Sequence, residues 1–238
     1  MSRSVSFIMP AFNESRNIEA AVKTVVAKLE EYDFDYEILI FNDGSTDHTG
    51  EIAEKLAAGN LRIKVYHNLK NMNLGYNFSK GVELASKTFT GILPCHNLIA
   101  PESYDNILSA FEKHQKDVIV AYIANPQVRP WSRRFVSWFN TTLLNLLFSF
   151  GLKYYHLNFY RTDLLKKLPK TTESYALMVE LLVHALASGA SYVEIPFFRL
   201  ERGIGKSKAL RLKNIVDIFK TYARLFWQIR VLKQYGEK

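Results

Sequence analysis

Short apolar runs alternate with stretches of helical period from the N-terminus onward. Val5–Met9 is an apolar run that ends in Pro10-Ala11-Phe12-Asn13-Glu14. Ile18, Ala21, Val22, Val25, Val26 and Leu29 then recur at the three-to-four spacing of one helix face, with Glu14 and Glu19 near its start, where acids suit the helix dipole. Tyr36–Phe41 reads as a second strand, closed by Asn42-Asp43-Gly44-Ser45-Thr46-Asp47 and followed by a helix to about Ala58. Leu61–Tyr66 alternates as a third strand. Asn73-Leu74-Gly75 precedes a helix over Phe78–Ser86, and Thr90–Leu93 and Val118–Tyr122 supply further strands. Strand and helix alternating at this spacing predict an α/β fold: a Rossmann-like, mostly parallel central sheet flanked by helices.

The second half changes character. Arg133–Phe150 (RRFVSWFNTTLLNLLFSF) is rich in large apolar residues, and Ser137, Asn140, Thr141, Asn145 and Ser149 fall near one side at helical spacing. The apolar arc is too wide for an ordinary surface helix, while the polar positions, Thr142 among them, argue against a bilayer span. With Arg129, Arg133 and Arg134 at its start, the segment reads as a helix lying in a membrane interface. A helix in a dimer interface or in the core carries the same pattern, so an oligomer stays open. Helices are expected near Thr162–Leu168 and Ser174–Ser188, a strand at Tyr192–Pro196, and a polar loop over Arg199–Lys208. Ala209–Tyr235 reads as a long basic helix with Ile215, Ile218, Phe219, Tyr222, Phe226, Ile229 and Leu232 on its apolar side.

Charge sharpens this division. Of a net +8 over 238 residues, Lys206–Lys238 carries nine Lys/Arg against Asp217 and Glu237, a balance of +7. A basic terminal segment points to an anionic partner surface, membrane or nucleic acid. No nucleic-acid recognition motif is present, so the membrane surface is the expected partner and nucleic acid is not. A single cysteine excludes an intramolecular disulfide and fits a reducing compartment. The N-terminus lacks a signal peptide's apolar region, and no stretch reaches the length of a membrane span. The expectation is a cytoplasmic protein, peripherally associated with the membrane. Residues 1–210 are expected to form one α/β domain and residues 211–238 a basic amphipathic helix.

The chemistry-bearing residues sit where strands end. A carboxylate at the carboxyl end of a strand, as at Asp43, can accept hydrogen bonds from a nucleobase edge or from ribose hydroxyls. Gly44 permits a tight turn, and Ser45, Thr46 and Asp47 can cap the next helix. Taken alone, DGSTD could be no more than a capped turn; PAFNE after the first strand gives it a polar neighbour. The chain has neither GxGxxG nor GxxxxGK[ST], which disfavours ordinary NAD-binding and kinase readings.

PAFNE, the spaced strands, NDGSTDHT and the NLG element together resemble glycosyltransferase family 2, with its GT-A nucleotide-diphospho-sugar transferase fold. The later VELLVHALASGASYVEIPFFRLERGIGKSK resembles the corresponding segment of polyprenyl-phosphate sugar synthases. The resemblance covers roughly residues 4–210. It implies transfer of a sugar, with inversion, from a nucleotide-diphosphate sugar donor to an acceptor, often a lipid phosphate and otherwise a glycan. By position it implies that Pro10, Ala11, Asn13 and Glu14 line the base and ribose pocket, that Asp43 holds the base, and that Asn73 and Gly75 lie near the donor. It sets Glu180 on the acceptor side, and Arg202, Lys206, Ser207 and Lys208 in a loop gripping the diphosphate. Cations there suit a leaving group that gains negative charge in the transition state.

One strand end departs from the pattern. Relatives carry Asp-X-Asp after the fourth strand, holding Mg²⁺ or Mn²⁺; those positions here are Pro94 and His96, in Gly91-Ile92-Leu93-Pro94-Cys95-His96-Asn97. Hard divalent ions prefer oxygen ligands, so an imidazole and the Asn97 amide make a poor magnesium cage. Three accounts stay open. His96 is a single ligand for a softer ion such as Mn²⁺; or the site works without metal, with Arg202, Lys206 and Lys208 neutralising the diphosphate; or the chain is a catalytically silent binding or assembly protein. Glu180 is the candidate general base if the acceptor is a hydroxyl, and a paired helix glutamate otherwise.

Overall fold

The computed structural model describes residues 3–96, 98–153, 157–201 and 212–235, with side chains in the last segment from residue 215 onward. Its centre is a seven-stranded sheet of β1 (Ser4–Ala11), β2 (Asp35–Asn42), β3 (Ile63–His67), β4 (Phe89–Ile92), β5 (Val118–Ile123), β6 (Leu157–Arg161) and β7 (Tyr192–Phe197), in the order β3-β2-β1-β4-β6-β5-β7. β1 pairs in parallel with both β2 and β4, β2 with β3, and β5 with β7. These strands are buried on both faces because crossover helices cover the sheet, which is why they read as near-continuous apolar runs.

The helices are α1 (Ile18–Glu31), α2 (Thr49–Gly59), α3 (Asn73–Leu84), α4 (Pro101–Lys113), α5 (Trp131–Phe148), α6 (Thr162–Lys167), α7 (Leu177–Ala187) and α8 (Leu212–Phe226). α1 buries Ile18, Ala21, Val22, Val25 and Leu29, the stripe read from its period. Two elements have no counterpart in the sequence reading. One is α4, opened by Pro101 and burying Tyr104, Ile107, Leu108 and Phe111. The other is β6, five residues inserted antiparallel between β4 and β5. The sheet is therefore mostly rather than wholly parallel. The core runs through β6: the Phe159 ring meets Phe7 at 6.0 Å and Phe111 at 5.6 Å, both edge to face.

α5 leaves much of its apolar surface outside the core. Asn145 accepts from Leu152 N–H at 3.0 Å and donates to the Leu152 carbonyl at 2.7 Å. Thr141, Leu144 and Phe148 are buried, while Trp131 (77%), Phe135 (55%), Trp138 (59%) and Leu146 (78%) are exposed. The inward side thus mixes Thr141 and Asn145 with Leu144 and Phe148, and the large aromatic residues of the first half face outward. α8 packs beside it, with Tyr222 donating to Asn140 Oδ1 at 2.8 Å. The helix expected over 209–235 begins, among the described residues, at Leu212 and passes after Phe226 into a π-helical turn, Trp227–Val231. No helix among the described residues is long and apolar enough to cross a membrane.

Candidate active site at the carboxyl ends of the strands

β2 and β4 leave β1 on opposite sides, so the carboxyl ends of β1, β2 and β4 border the crevice that ligands of open α/β sheets occupy. Three loops meet there. After β1, Asn13 adopts a left-handed φ of 56°, and its side-chain carbonyl accepts from Thr46 N–H at 2.9 Å. Asn13 N–H donates to Ser45 Oγ at 3.0 Å, Glu14 N–H to Thr49 Oγ1 at 2.8 Å, and Ser15 N–H to Asp47 Oδ2 at 3.2 Å. PAFNE and DGSTD are zipped together by these bonds. Burial raises the Asp47 pKa, but hydrogen bonds from Thr49 and Ser15 outweigh it and hold the carboxylate at about 2. Asn13 and Glu14, expected to line the pocket, thus have structural work: Glu14 Oε2 also accepts from Asn17 Nδ2 at 2.8 Å at the start of α1.

Asp43 lies buried just past β2, its N–H donating to the Ala11 carbonyl at 2.8 Å. One carboxylate oxygen, Oδ1, accepts from Met72 N–H at 2.7 Å and from Asn68 Nδ2 at 2.9 Å. Asn68 Nδ2 also donates to Asn77 Oδ1 at 2.6 Å, inside α3. The turn behind Asp43 needs glycine. Gly44 has φ +70°, and a Cβ there would lie 2.6 Å from the Lys70 carbonyl carbon. Pro10 and Ala11 are the last β1 residues, paired with Phe41 and Asn42, so the structure gathers Pro10, Ala11, Asn13, Glu14 and Asp43 at one edge.

Asn73 opens α3 with φ 73° and an exposed side chain. Gly75 is buried and meets a different loop: a Cβ would lie 2.5 Å from the Glu173 carbonyl group, and Tyr76 N–H donates to that carbonyl oxygen at 3.2 Å. Gly75 therefore lets α3 press against the loop leading into α7. Glu180, on α7, is fully buried. Its carboxylate accepts from Thr171 N–H at 3.2 Å, from the Thr171 hydroxyl, and from Arg224 Nη2 of α8 at 3.0 Å. One turn on, His184 Nδ1 lies 2.8 Å from the Tyr235 hydroxyl.

Beyond β4, Leu93 N–H donates to the Ile8 carbonyl at 2.9 Å, Cys95 is buried, and His96 is half-buried. Burial, with the Glu14 charge second, pushes the Cys95 thiol pKa up, so it is protonated at neutral pH. A proline, a protonated thiol and one imidazole do not fit a hard divalent cation. Among the described residues no three His, Cys, Asp or Glu side chains converge on a metal-sized site. Asn97 and the loop residues Arg202, Lys206, Ser207 and Lys208 lie outside the described residues. The segment leading to that loop is tied to this strand end: Ala100 N–H donates to the Phe198 carbonyl at 3.1 Å and Leu200 N–H to the Leu98 carbonyl at 2.9 Å.

Sequence reasoning missed Asn68, Asn77, Thr171 and Arg224. Asn68 sits in the asparagine-rich stretch 68–77, the one available hint. Nothing in the spacing of Glu180 and Arg224 shows that they meet.

An open α/β sheet with acidic and amide side chains at its switch point defines a nucleotide-binding fold of GT-A type. The chain belongs to glycosyl transferase family 2, which it matches over residues 6–176. It is 27% identical over 213 residues to a polyprenol monophosphomannose synthase of Mycolicibacterium smegmatis, covering 84% of this chain and 79% of the relative. Among solved structures it superposes on glucosyl-3-phosphoglycerate synthase of Mycobacterium tuberculosis, in complex with Mn²⁺, UDP and phosphoglyceric acid. The TM-score is 0.70 at 16% identity, over 95% of this chain and 78% of that one. Mannosyl-3-phosphoglycerate synthase of Rubrobacter xylanophilus gives 0.71 at 14% identity, over 98% and 76%. The chain is thus a glycosyltransferase, and the silent-protein reading is not favoured.

Proposed function

We propose that this enzyme transfers a hexose, with inversion, from a nucleoside diphosphate sugar to a polyprenyl-type lipid phosphate at a membrane surface. The observation that carries the reading is Asp43. It is buried at the switch point, with Oδ1 fixed by Met72 and Asn68 and no hydrogen bond from the described residues on Oδ2. A carboxylate held this way is preorganised to accept from the N–H edge of a base or from ribose hydroxyls. Pro10 and Ala11 supply the adjoining wall, and Asn13, Glu14, Asn73 and His96 its polar rim.

In the proposed step an acceptor phosphate oxygen attacks the anomeric carbon from the face opposite the leaving group. The new C–O bond forms as the bond to the donor's β-phosphate oxygen breaks, and its electron pair leaves with the nucleoside diphosphate. Arg202, Lys206 and Lys208, with Ser207, are assigned to neutralise that charge. A phosphate acceptor is already anionic and needs no general base. The engagement of Glu180 with Thr171 and Arg224 agrees with such an acceptor. His96 offers a single nitrogen donor at the β4 end, better suited to Mn²⁺ than to Mg²⁺, so metal dependence is part of the test. The polyprenol-linked relative, the outward aromatic face of α5 and the basic C-terminal segment support a lipid acceptor and peripheral residence on the cytoplasmic leaflet.

Thermal stabilisation by UDP, GDP and dTDP sugars, then transfer to polyprenyl phosphate with EDTA or Mn²⁺, tests the assignment. One sugar nucleotide should stabilise the protein and yield a chloroform-soluble glycolipid. Stabilisation by none of them refutes the donor site, and transfer only to hydroxyl acceptors refutes the lipid-phosphate assignment.

A further inference from the structure

The Glu180 carboxylate stands between two distant parts of the molecule. On one side it receives Arg224 Nη2 from α8 at 3.0 Å. On the other it receives the backbone N–H and hydroxyl of Thr171, in the loop before α7. Two residues further on, the Glu173 carbonyl accepts from Tyr76 N–H at 3.2 Å, and the backbone of Glu173 and Ser174 fills the space that Gly75 leaves open on α3. The amide that starts α3, Met72 N–H, is a donor to Asp43 Oδ1, and Asn77 in the same helix receives the Asn68 amide that holds that oxygen. A continuous chain of contacts therefore runs from Arg224 through Glu180, Thr171–Ser174 and α3 to the base-side carboxylate.

We propose that Arg224 and Glu180 are positioning residues for the transfer reaction. Their ion pair presses the Thr171–Ser174 loop onto α3, and α3 sets the direction in which Asp43 meets the donor. The physical basis is that Glu180 is fully buried. Removing Arg224 takes away the cation beside this buried acid and leaves the Thr171 N–H and hydroxyl as its remaining donors, so the loop that carries Thr171 must readjust around it. The loop that would shift is the one packed on Gly75, where contact is too close for α3 to stay in place independently. His184, one turn along α7, bonds Tyr235 through Nδ1, while its Nε2 lies 4.0 Å from Glu180 Oε1, beyond hydrogen-bond reach. This assignment deepens the proposed function and rests on its donor site. It also replaces the general-base role for Glu180 with a structural one.

The test compares wild type with Arg224→Ala, Arg224→Lys and Glu180→Gln by two readouts. The first is donor nucleotide affinity, with KM and kcat measured separately. Arg224→Ala and Glu180→Gln should each weaken donor binding about 10-fold, in the usual range of coupling between linked sites, with the larger change in KM. Arg224→Lys, which keeps a cation, should recover most of the loss. The second readout needs no ligand. Amide exchange over 72–78 and 171–176 should quicken in Arg224→Ala and stay near wild type in Arg224→Lys. A loss of kcat in Glu180→Gln with unchanged donor affinity would restore the general-base role and overturn the proposal. Unchanged exchange over both segments in Arg224→Ala would overturn it even if no donor is found. If exchange quickens but wild type binds no sugar nucleotide, the positioning of α3 stands as a structural link while the transfer role falls with the donor site.

Discussion

Asn68 bridges Asp43 to the interior of α3: its single side-chain nitrogen donates to Asp43 Oδ1 at 2.9 Å and to Asn77 Oδ1 at 2.6 Å. With Met72 N–H on the same Asp43 oxygen, the carboxylate is held by the helix that follows β3 as well as by its own strand. A strand-end acid that would otherwise rotate is thereby aimed in one direction.

Asp43→Asn keeps the shape and an acceptor oxygen but loses the charge. It should weaken nucleotide binding at least about 10-fold and cost about 1–3 kcal/mol of stability through the bonds from Met72 and Asn68. Calorimetric titration and urea unfolding measure the two effects, and an unchanged nucleotide affinity would refute the base-side role.

Gly75→Ala tests the contact between α3 and the loop before α7. The new methyl would sit 2.5 Å from the Glu173 carbonyl, and overpacking of this kind costs about 1–3 kcal/mol. Gly44→Ala should cost at least as much, because the left-handed φ of +70° adds strain to a clash with Lys70 backbone. Equilibrium denaturation curves matching wild type for both variants would contradict the packing.

His184 should make the attachment of α8 sensitive to acid. Burial first, and then the Arg224 charge, lower its pKa from 6.5 to about 4; Glu180 on α7 and Tyr235 are the other titratable groups facing it. The unfolded chain takes up this proton before the folded one does. Stability is therefore full above about pH 6.5 and declines as pH falls toward 4, by a total on the order of 3 kcal/mol. Urea unfolding at pH 7.5 and pH 4.5 measures the decline, and His184→Gln should flatten it. An equal pH slope in the variant would show that other groups carry the effect.

His96→Asp places a hard oxygen donor where the half-buried imidazole now stands. Stabilisation by Mn²⁺ in the presence of nucleoside diphosphate should rise by several degrees over wild type. An identical metal response in the two proteins would mean that this strand end does not face the diphosphate.

The outward face of α5 should seat the enzyme on acidic vesicles. Replacing Trp131, Phe135 and Trp138 together by Ser removes exposed aromatic surface worth about 2 kcal/mol per buried ring and should cut vesicle partitioning at least about 100-fold. Because these side chains touch solvent, the melting temperature should hardly move. Co-sedimentation with anionic and neutral vesicles reads the result, and undiminished binding would assign the membrane contact to another surface.

Most of the strand–helix alternation is legible along the chain, because buried parallel strands must be apolar on both faces and the helices covering them apolar on one. The sequence by itself also marked Asp43 and the PAFNE loop, since polar residues that break an apolar strand are visible wherever they fall. It did not reveal β6, whose five residues are held by both neighbours rather than by their own pattern. It could not decide the orientation of α5, because the same mixture of asparagine and tryptophan serves a helix facing either way. Tertiary structure alone brought Asn68 to Asp43, Gly75 to Glu173 and Arg224 to Glu180. Those pairs are joined by the packing of separate elements, and a linear pattern records only what a residue's neighbours along the chain require.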